Sequence, residues 1–410
     1  VTPDASDPAG AAPRGPGAGA LHGIRVLDLT RVLAGPLCAQ MLGDHGAEVI
    51  KIEPPAGDET RRLGPPFDAN GDAGYFTALN RNKRAIALDL SRPDGRDVLL
   101  RLLENADVLL ENALPGTMER WGLGYETTLA ARFPRLVYGT ISGFGADGPL
   151  GGLPGYDAIA QAMGGAMSVL GTPQTGPMRT SIAMIDIVTG YNMMVGVLLA
   201  LSERAHSGRG QRVEATLYDT TLSMLIPYAA NWMLSGRTPG PVGNAHVSVY
   251  PYDRFAIGDA QVFLGVVSQA QFGRLCDRIG RPDLPADPRF RDNVSRSTHR
   301  EALRAEIERA LYGRDPDALC EALMADGVPA GKVRSVPEAF AHPHTAHRAM
   351  DVRLDGYRGV GVPVRLDRTP GAPRSRPPRF AEHTAEILAE IGYSPGQIEA
   401  LRRSGAAPVR

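Results

Sequence analysis

Ile24-Arg25-Val26-Leu27-Asp28-Leu29, Thr30-Arg31-Val32-Leu33-Ala34-Gly35-Pro36 and Ala47-Glu48-Val49-Ile50-Lys51-Ile52-Glu53 decide the fold. The first and last are short apolar runs of strand length. Between them, residues 37–45 read as a helix carrying Leu37, Met41 and Leu42, closed by Gly46. Strand, turn, helix and strand form a βαβ unit, which demands parallel pairing. The alternation continues outward with strands predicted at 85–90, 106–112 and 136–142 and a helix at 93–105. It predicts an α/β protein with a doubly wound sheet, whose ligands sit beyond the strand C-terminal ends. Asn112, Ser142 and Gly143 fall there. The turn of the first βαβ unit lacks Gly-x-Gly-x-x-Gly, so a nicotinamide dehydrogenase loses its main support.

At 410 residues the chain has room for two or three domains. Hydrophobic residues make up 43% and charged residues 22%, as in ordinary globular proteins. A net charge of −1 offers no argument for nucleic acid or an anionic membrane, so an anionic ligand needs local groups. No apolar run reaches about 18 residues, so no membrane span is expected. Cys38, Cys276 and Cys320 match neither a disulfide framework nor a zinc spacing, which fits a cytoplasmic location. Residues 1–20 are rich in Pro, Gly and Ala and are read as a disordered tail. Residues 21–235 are expected to form the large domain, 236–244 a Gly/Pro linker and 245–335 a smaller α/β domain; 336–410 follow as a C-terminal segment.

Three features invite chemistry. Asp186 stands alone among Met184, Ile185, Ile187 and Val188, ahead of a long helical run over 191–205. It is either a cap for that helix or a reactive carboxylate. Asn80-Arg81-Asn82-Lys83-Arg84 is either a solvated loop or a phosphate clamp before the next strand. Gly155-Tyr156-Asp157 leads into a helix, with Tyr156 a core aromatic and Asp157 a cap on the structural reading. His342-x-His344-x-x-His347 has a metal-like spacing without accompanying carboxylates or thiolates, and no metal site is expected.

Taken together, these segments resemble the class III (CaiB/BaiF-type) CoA-transferases. The resemblance is carried by residues 26–36, 46–53 and 80–84, Gly155-Tyr156-Asp157, Asp186-Ile187-Val188-Thr189-Gly190, Gly208-Arg209-Gly210-Gln211 and Glu382-His383-Thr384. It spans residues 21 to about 395. It implies a Rossmann-like large domain built from both chain ends, with 336–410 the return segment that completes it, a smaller inserted domain and an interlocked homodimer. It implies Asp186 as the nucleophile of a CoA transfer between an acyl-CoA and a small carboxylic acid. No permanently bound cofactor is implied; coenzyme A is a substrate.

The family's CoA site carries over to Leu33 and Ala34, to Leu88, Asp89, Leu90 and Ser91, to Asn112, Ala113 and Leu114, and to Arg120 and Tyr156, with Arg84 a looser candidate. A CoA-binding Arg of formyl-CoA transferases falls on Pro54, so the phosphate contacts must differ. Those enzymes also have Gln where this chain has Leu33. The related α-methylacyl-CoA racemases have His where this chain has Tyr156. Racemisation needs an acid and a base on opposite faces of the α-carbon, and a Tyr of pKa about 10 serves poorly. Transfer is therefore the expectation; a racemase-type isomerase and a non-catalytic CoA-binding protein are the rivals. His246, in Asn244-Ala245-His246-Val247-Ser248, is either a substrate contact or a structural loop residue. Ala381 stands where the family usually has Gly.

Overall fold

A computed structural model describes residues 19–408, and the chain divides into two units. The first comprises the residues up to 165, 181–226 and those from 346 onward; the second comprises 166–180 and 227–345. The division expected after 235 thus falls after 226, and 166–180 leave the large unit. The expected tail at 1–18 lies outside the described residues. Gly19 is buried, and the Leu21 N–H donates to the His45 carbonyl at 2.9 Å, so the fold is already under way at 19–20.

In the first unit six strands form one wholly parallel sheet: β1 (Arg25–Asp28), β2 (Glu48–Glu53), β3 (Lys83–Ala87), β4 (Val108–Glu111), β5 (Val137–Ser142) and β6 (Arg212–Thr216). Their order is β3-β2-β1-β4-β5-β6. The order reverses beside β1, which leaves a crevice between the C-terminal ends of β1 and β4. Near-continuous apolar strands suit a sheet covered on both faces. Leu27, Ile50, Ile86 and Leu109 face one core with α2 (Pro93–Leu103). Val26, Val49, Val108 and Leu110 face the other, with Cys38 and Leu42 of α1 (Ala34–Asp44). The segment Gly155-Tyr156-Asp157 opens α3 (Asp157–Met163).

The β5–β6 crossover carries α4 (Met184–Ser207), whose Met193, Val197 and Ala200 lie on the sheet. This helix begins seven residues before the expected 191 and so includes Asp186. Its 24 residues, at a mean hydropathy of 1.7, are long and apolar enough to cross a membrane by length and composition. The sequence reading missed this run; packing on the sheet gives it a place in the fold.

The return segment closes the same unit. In α5 (Thr384–Glu390), Ile387 and Leu388 join the core of Ile86 and Leu88. The His383 N–H donates to the Ala85 carbonyl at 2.9 Å, and the Ala85 N–H donates to His383 Nδ1 at 3.1 Å. The Asn80–Arg84 cluster belongs to this closure, and neither reading of it stands. Asn80, Arg81, Asn82 and Lys83 are buried. Arg81 pairs with Asp44 at 2.7 Å and bonds the Val360 carbonyl. Asn82 Nδ2 reaches the Ala372 carbonyl at 2.9 Å, and Lys83 Nζ pairs with Asp28 at 2.8 Å. The cluster is a buried polar tie between the first strands and the chain's return.

The second unit has an antiparallel sheet of β7 (Tyr252–Ile257), β8 (Ala260–Gly265) and β9 (Ala330–Lys332) in the order β9-β8-β7. The helix Gln269–Ile279 opens with a capping box from Ser268 and Gln271. Its Phe272 packs with Phe255, Val262 and Ile307 in a separate core.

Candidate active site

At the end of β1 the chain turns sharply. Asp28 Oδ1 accepts the Thr30 N–H at 3.0 Å and the Thr30 hydroxyl, while Lys51 Nζ donates to the Thr30 carbonyl at 2.9 Å. Across the crevice, the Asn112 side chain grips Arg31 at both backbone groups. Its Oδ1 accepts the Arg31 N–H at 2.9 Å and its Nδ2 donates to the Arg31 carbonyl at 2.8 Å. Val32 then takes φ 69°. A β-branched residue there costs about 1–3 kcal/mol, and such strain concentrates at functional sites. The kink starts α1 directly, with Leu33 as its N-cap.

No side chain caps α1, no acid lies in its first turn, and Pro36 has no N–H. The Ala34 and Gly35 N–H groups therefore lack intrahelical acceptors at the positive end of the helix. Gly190 brings α4 against this end: a Cβ there would stand 2.7 Å from the Ala34 carbonyl oxygen. Asp186 and Gly190 are four residues apart and share one helical face. The Asp-x-x-x-Gly spacing thus has a geometric reason. The glycine admits α1, and the carboxylate joins it at one cavity.

That cavity, of about 270 Å³, is lined by Leu33, Ala34, Asn112, Ala113, Leu114, Tyr156 and Asp186, with Arg31 and Glu59 beside them. Asp186 is in the first turn of α4 and does not cap it; the N-cap is Ala183, with no side-chain bond. Asp157 does the capping from α3. Its Oδ2 accepts the Ile185 N–H at 2.9 Å and the Asp186 N–H at 3.2 Å. Asp157 was expected to serve its own helix. Among the described residues no hydrogen bond or ion pair holds the Asp186 carboxylate. Burial, and then the charge of Asp157, push its pKa up to about 7. Tyr75, half-buried, is pushed up to about 12 by burial and by the charges of Asp186, Asp157 and Asp58. Its place near Asp186 had no sequence signal.

A second cavity of about 240 Å³ is lined by Pro54, Pro55, Leu88, Asp89, Leu90, Ser91 and Trp121, and shares Arg31, Asn112 and Ala113 with the first. The two cavities adjoin at this shared wall, the second lying at the β2 and β3 ends. Three candidates, Arg120, Arg84 and His246, line neither cavity. Arg120 is exposed and donates to Thr117 Oγ1 at 2.7 Å, beside the groove-lining Trp121. Arg84 is a correction. It sits inside β3 rather than ahead of it and bonds Glu48 at 2.6 Å, Glu386 at 2.7 Å and Glu390 at 2.6 Å. These partners lie toward the strand N-terminal ends, away from the groove. His246 belongs to the second unit, where its ring lies 5.3 Å from that of Tyr252 and its Nδ1 accepts the Ser248 N–H at 3.0 Å. Arg31 and Glu59 were passed over as turn and loop residues. No group of three His, Cys, Asp or Glu is placed to hold a metal among the described residues.

The chain is similar to known proteins over nearly its whole length. The family model described as CoA-transferase family III matches residues 21–384. The succinate–glutarate CoA-transferase of Agrobacterium fabrum is 38% identical over 382 residues, covering 90% of this chain and 95% of the relative. The succinyl-CoA:mesaconate CoA-transferase of Haloarcula hispanica is 38% identical, covering 92% and 98%. The crystal structure of a CaiB/BaiF family protein from Brucella suis superposes with a TM-score of 0.85 at 38% identity, covering 91% of this chain and all of that one. This chain belongs to CoA-transferase family III, the CaiB/BaiF group, whose members act on acyl-CoA and carboxylate substrates.

Proposed function

We propose that this protein moves CoA from an acyl-CoA to a small carboxylic acid, with Asp186 as the covalent nucleophile. One observation carries the reading: Asp186 is a carboxylate at the switch-point cavity with no bonding partner among the described residues. The carboxylate attacks the thioester carbonyl, and the oxyanion forms beside the free N–H groups of Ala34 and Gly35. The C–S bond breaks and leaves a mixed anhydride with CoA thiolate. The thiolate attacks the Asp186 carbonyl, releasing the donor acid and forming an aspartyl-CoA thioester. An incoming carboxylate reverses both steps and leaves with CoA. Each step trades one leaving group for another, so no net proton is taken up. A raised pKa makes Asp186 the stronger nucleophile once ionised.

Succinyl-CoA with a small dicarboxylate is the substrate pair this reading favours, as the named relatives act on succinate, glutarate and mesaconate. The working form is an interlocked homodimer. The outer side of α4 exposes Val195 and Leu199, at 55% and 66%, and Ile226 nearby in sequence to Leu222 is 76% exposed. Such apolar surface fits a partner subunit. A cytoplasmic location is supported by three unpaired, buried cysteines.

Asp186→Ala is expected to fold, bind CoA and lose transfer. Wild-type protein charged with acyl-CoA and quenched with hydroxylamine is expected to carry a modification at Asp186 by mass spectrometry. Full transfer by Asp186→Ala overturns the mechanism. Exchange of the α-proton with deuterated solvent, without CoA movement, would instead establish the racemase-type reaction.

A further inference from the structure

Resting on the reading above that acyl-CoA is the substrate, we propose that Arg31 is the residue that holds the CoA pyrophosphate, exchanging its salt bridge to Glu59 for the phosphate oxygens. CoA is long. Its thioester end must reach Asp186, and its nucleotide end needs an apolar cleft such as the one beside Pro54, Leu88 and Trp121. Between them the ligand passes the wall shared by the two cavities, made of Arg31, Asn112 and Ala113. Arg31 is the single basic side chain lining either cavity among the described residues. Of the other basic candidates, Arg84 is engaged by three glutamates at the far end of the sheet, and Arg120 is bonded to Thr117 Oγ1 and lines neither cavity.

The local structure suits the task. Asn112 clamps both backbone groups of Arg31, so the root of the side chain is held. The Val32 kink turns the chain away immediately after it. The guanidinium end is free to move. Its pair with Glu59 is 3.2 Å long with both side chains more than 40% exposed, and solvated pairs of this kind are weak. A pyrophosphate offers two charges and paired oxygens to the planar fork of an arginine. Glu59 then acts as a counter-ion that keeps Arg31 extended toward the groove when no CoA is bound.

The experiment is equilibrium binding of CoA, dephospho-CoA and pantetheine to wild type, Arg31→Gln, Arg31→Lys and Glu59→Gln, with folding checked by circular dichroism. Dephospho-CoA keeps the pyrophosphate and lacks the 3′-phosphate; pantetheine lacks both. Arg31→Gln is expected to weaken CoA and dephospho-CoA by the same factor, about 10- to 100-fold, and to leave pantetheine unchanged. Arg31→Lys is expected to fall between, and Glu59→Gln to tighten CoA. Equal weakening of pantetheine, sparing of dephospho-CoA, or no change in CoA binding overturns the assignment. Failure of the transfer reading is separate. Wild-type protein that binds CoA in this pattern without transferring it sinks that reading and leaves Arg31 in place.

Discussion

Asp157 Oδ2 accepts the backbone N–H of Asp186 at 3.2 Å, so one carboxylate holds the helix turn from which the other projects. The bond places a negative charge at the positive end of α4, where it is stabilised. It also places that charge beside Asp186, whose own ionisation it opposes.

The first consequence is a pH profile. In the proposed mechanism attack requires ionised Asp186, so kcat/KM is expected to rise through about pH 7 and level off above it. Asp157→Asn removes the charge but keeps an oxygen for the two N–H groups. Its rising limb is expected at lower pH, read from initial rates between pH 5 and 9. A limb that stays in place shows that Asp157 does not act on Asp186 through its charge.

The second is a conflict between stability and function. Asp186 has a higher pKa folded than unfolded, so the folded state binds its proton more tightly. Stability therefore declines as pH rises from about 4, the unfolded value, to about 7. Asp186→Asn abolishes transfer and removes this penalty. We expect it to be more stable than wild type by about 1–2 kcal/mol above pH 7, allowing for partial solvent exposure, and unchanged near pH 4. Denaturant melts at the two pH values test it.

The third concerns Gly190. A methyl group there meets the backbone oxygen of Ala34 at 2.7 Å, and backbone cannot swing aside as a side chain can. Gly190→Ala is expected to cost about 1–3 kcal/mol and to push α1 from α4. Transfer should fall more than CoA binding, because the nucleotide groove is lined by other elements. Activity equal to wild type, with melting lowered, would show that the close approach serves packing alone.

The fourth concerns Ala381, buried with φ 56°. An L side chain in this region costs about 1 kcal/mol that glycine avoids. Ala381→Gly is expected to raise the denaturation midpoint without changing transfer. A lowered midpoint would mean that the Ala381 methyl contributes more by packing than its backbone conformation costs.

The sequence resolved what depends on near neighbours. Runs such as Val26–Leu29 and Val49–Ile52 read as parallel strands because a turn and a helix connect them. Asp186 and Gly190 read as one Asp-x-x-x-Gly motif through the family resemblance, because the local pattern starts the helix only at 191. The strand C-terminal ends read as the ligand side of the sheet because the βαβ alternation implies a doubly wound fold, whereas the reversal beside β1 is seen only in the strand order. From the alternation the α/β fold and Asn112 followed; Leu33, Ala34, Leu88 and Tyr156 came from the family resemblance.

Tertiary structure alone decided the partners of the polar groups. Asp157 binds a helix 28 residues away, Arg81 pairs with Asp44 at a separation of 37, and Asn82 reaches Ala372 at 290. Hydrophobic periodicity carries no record of such distances, so Asp157 read as a local cap and residues 80–84 as surface. The same limit hid the exclusion of 166–180 from the large unit and the engagement of Arg84 by glutamates on the returning chain. Apolar patterning specifies which face of an element is buried. Which charge lies beside which is set only when distant segments meet, because a buried ion must find its counter-ion wherever the fold delivers one.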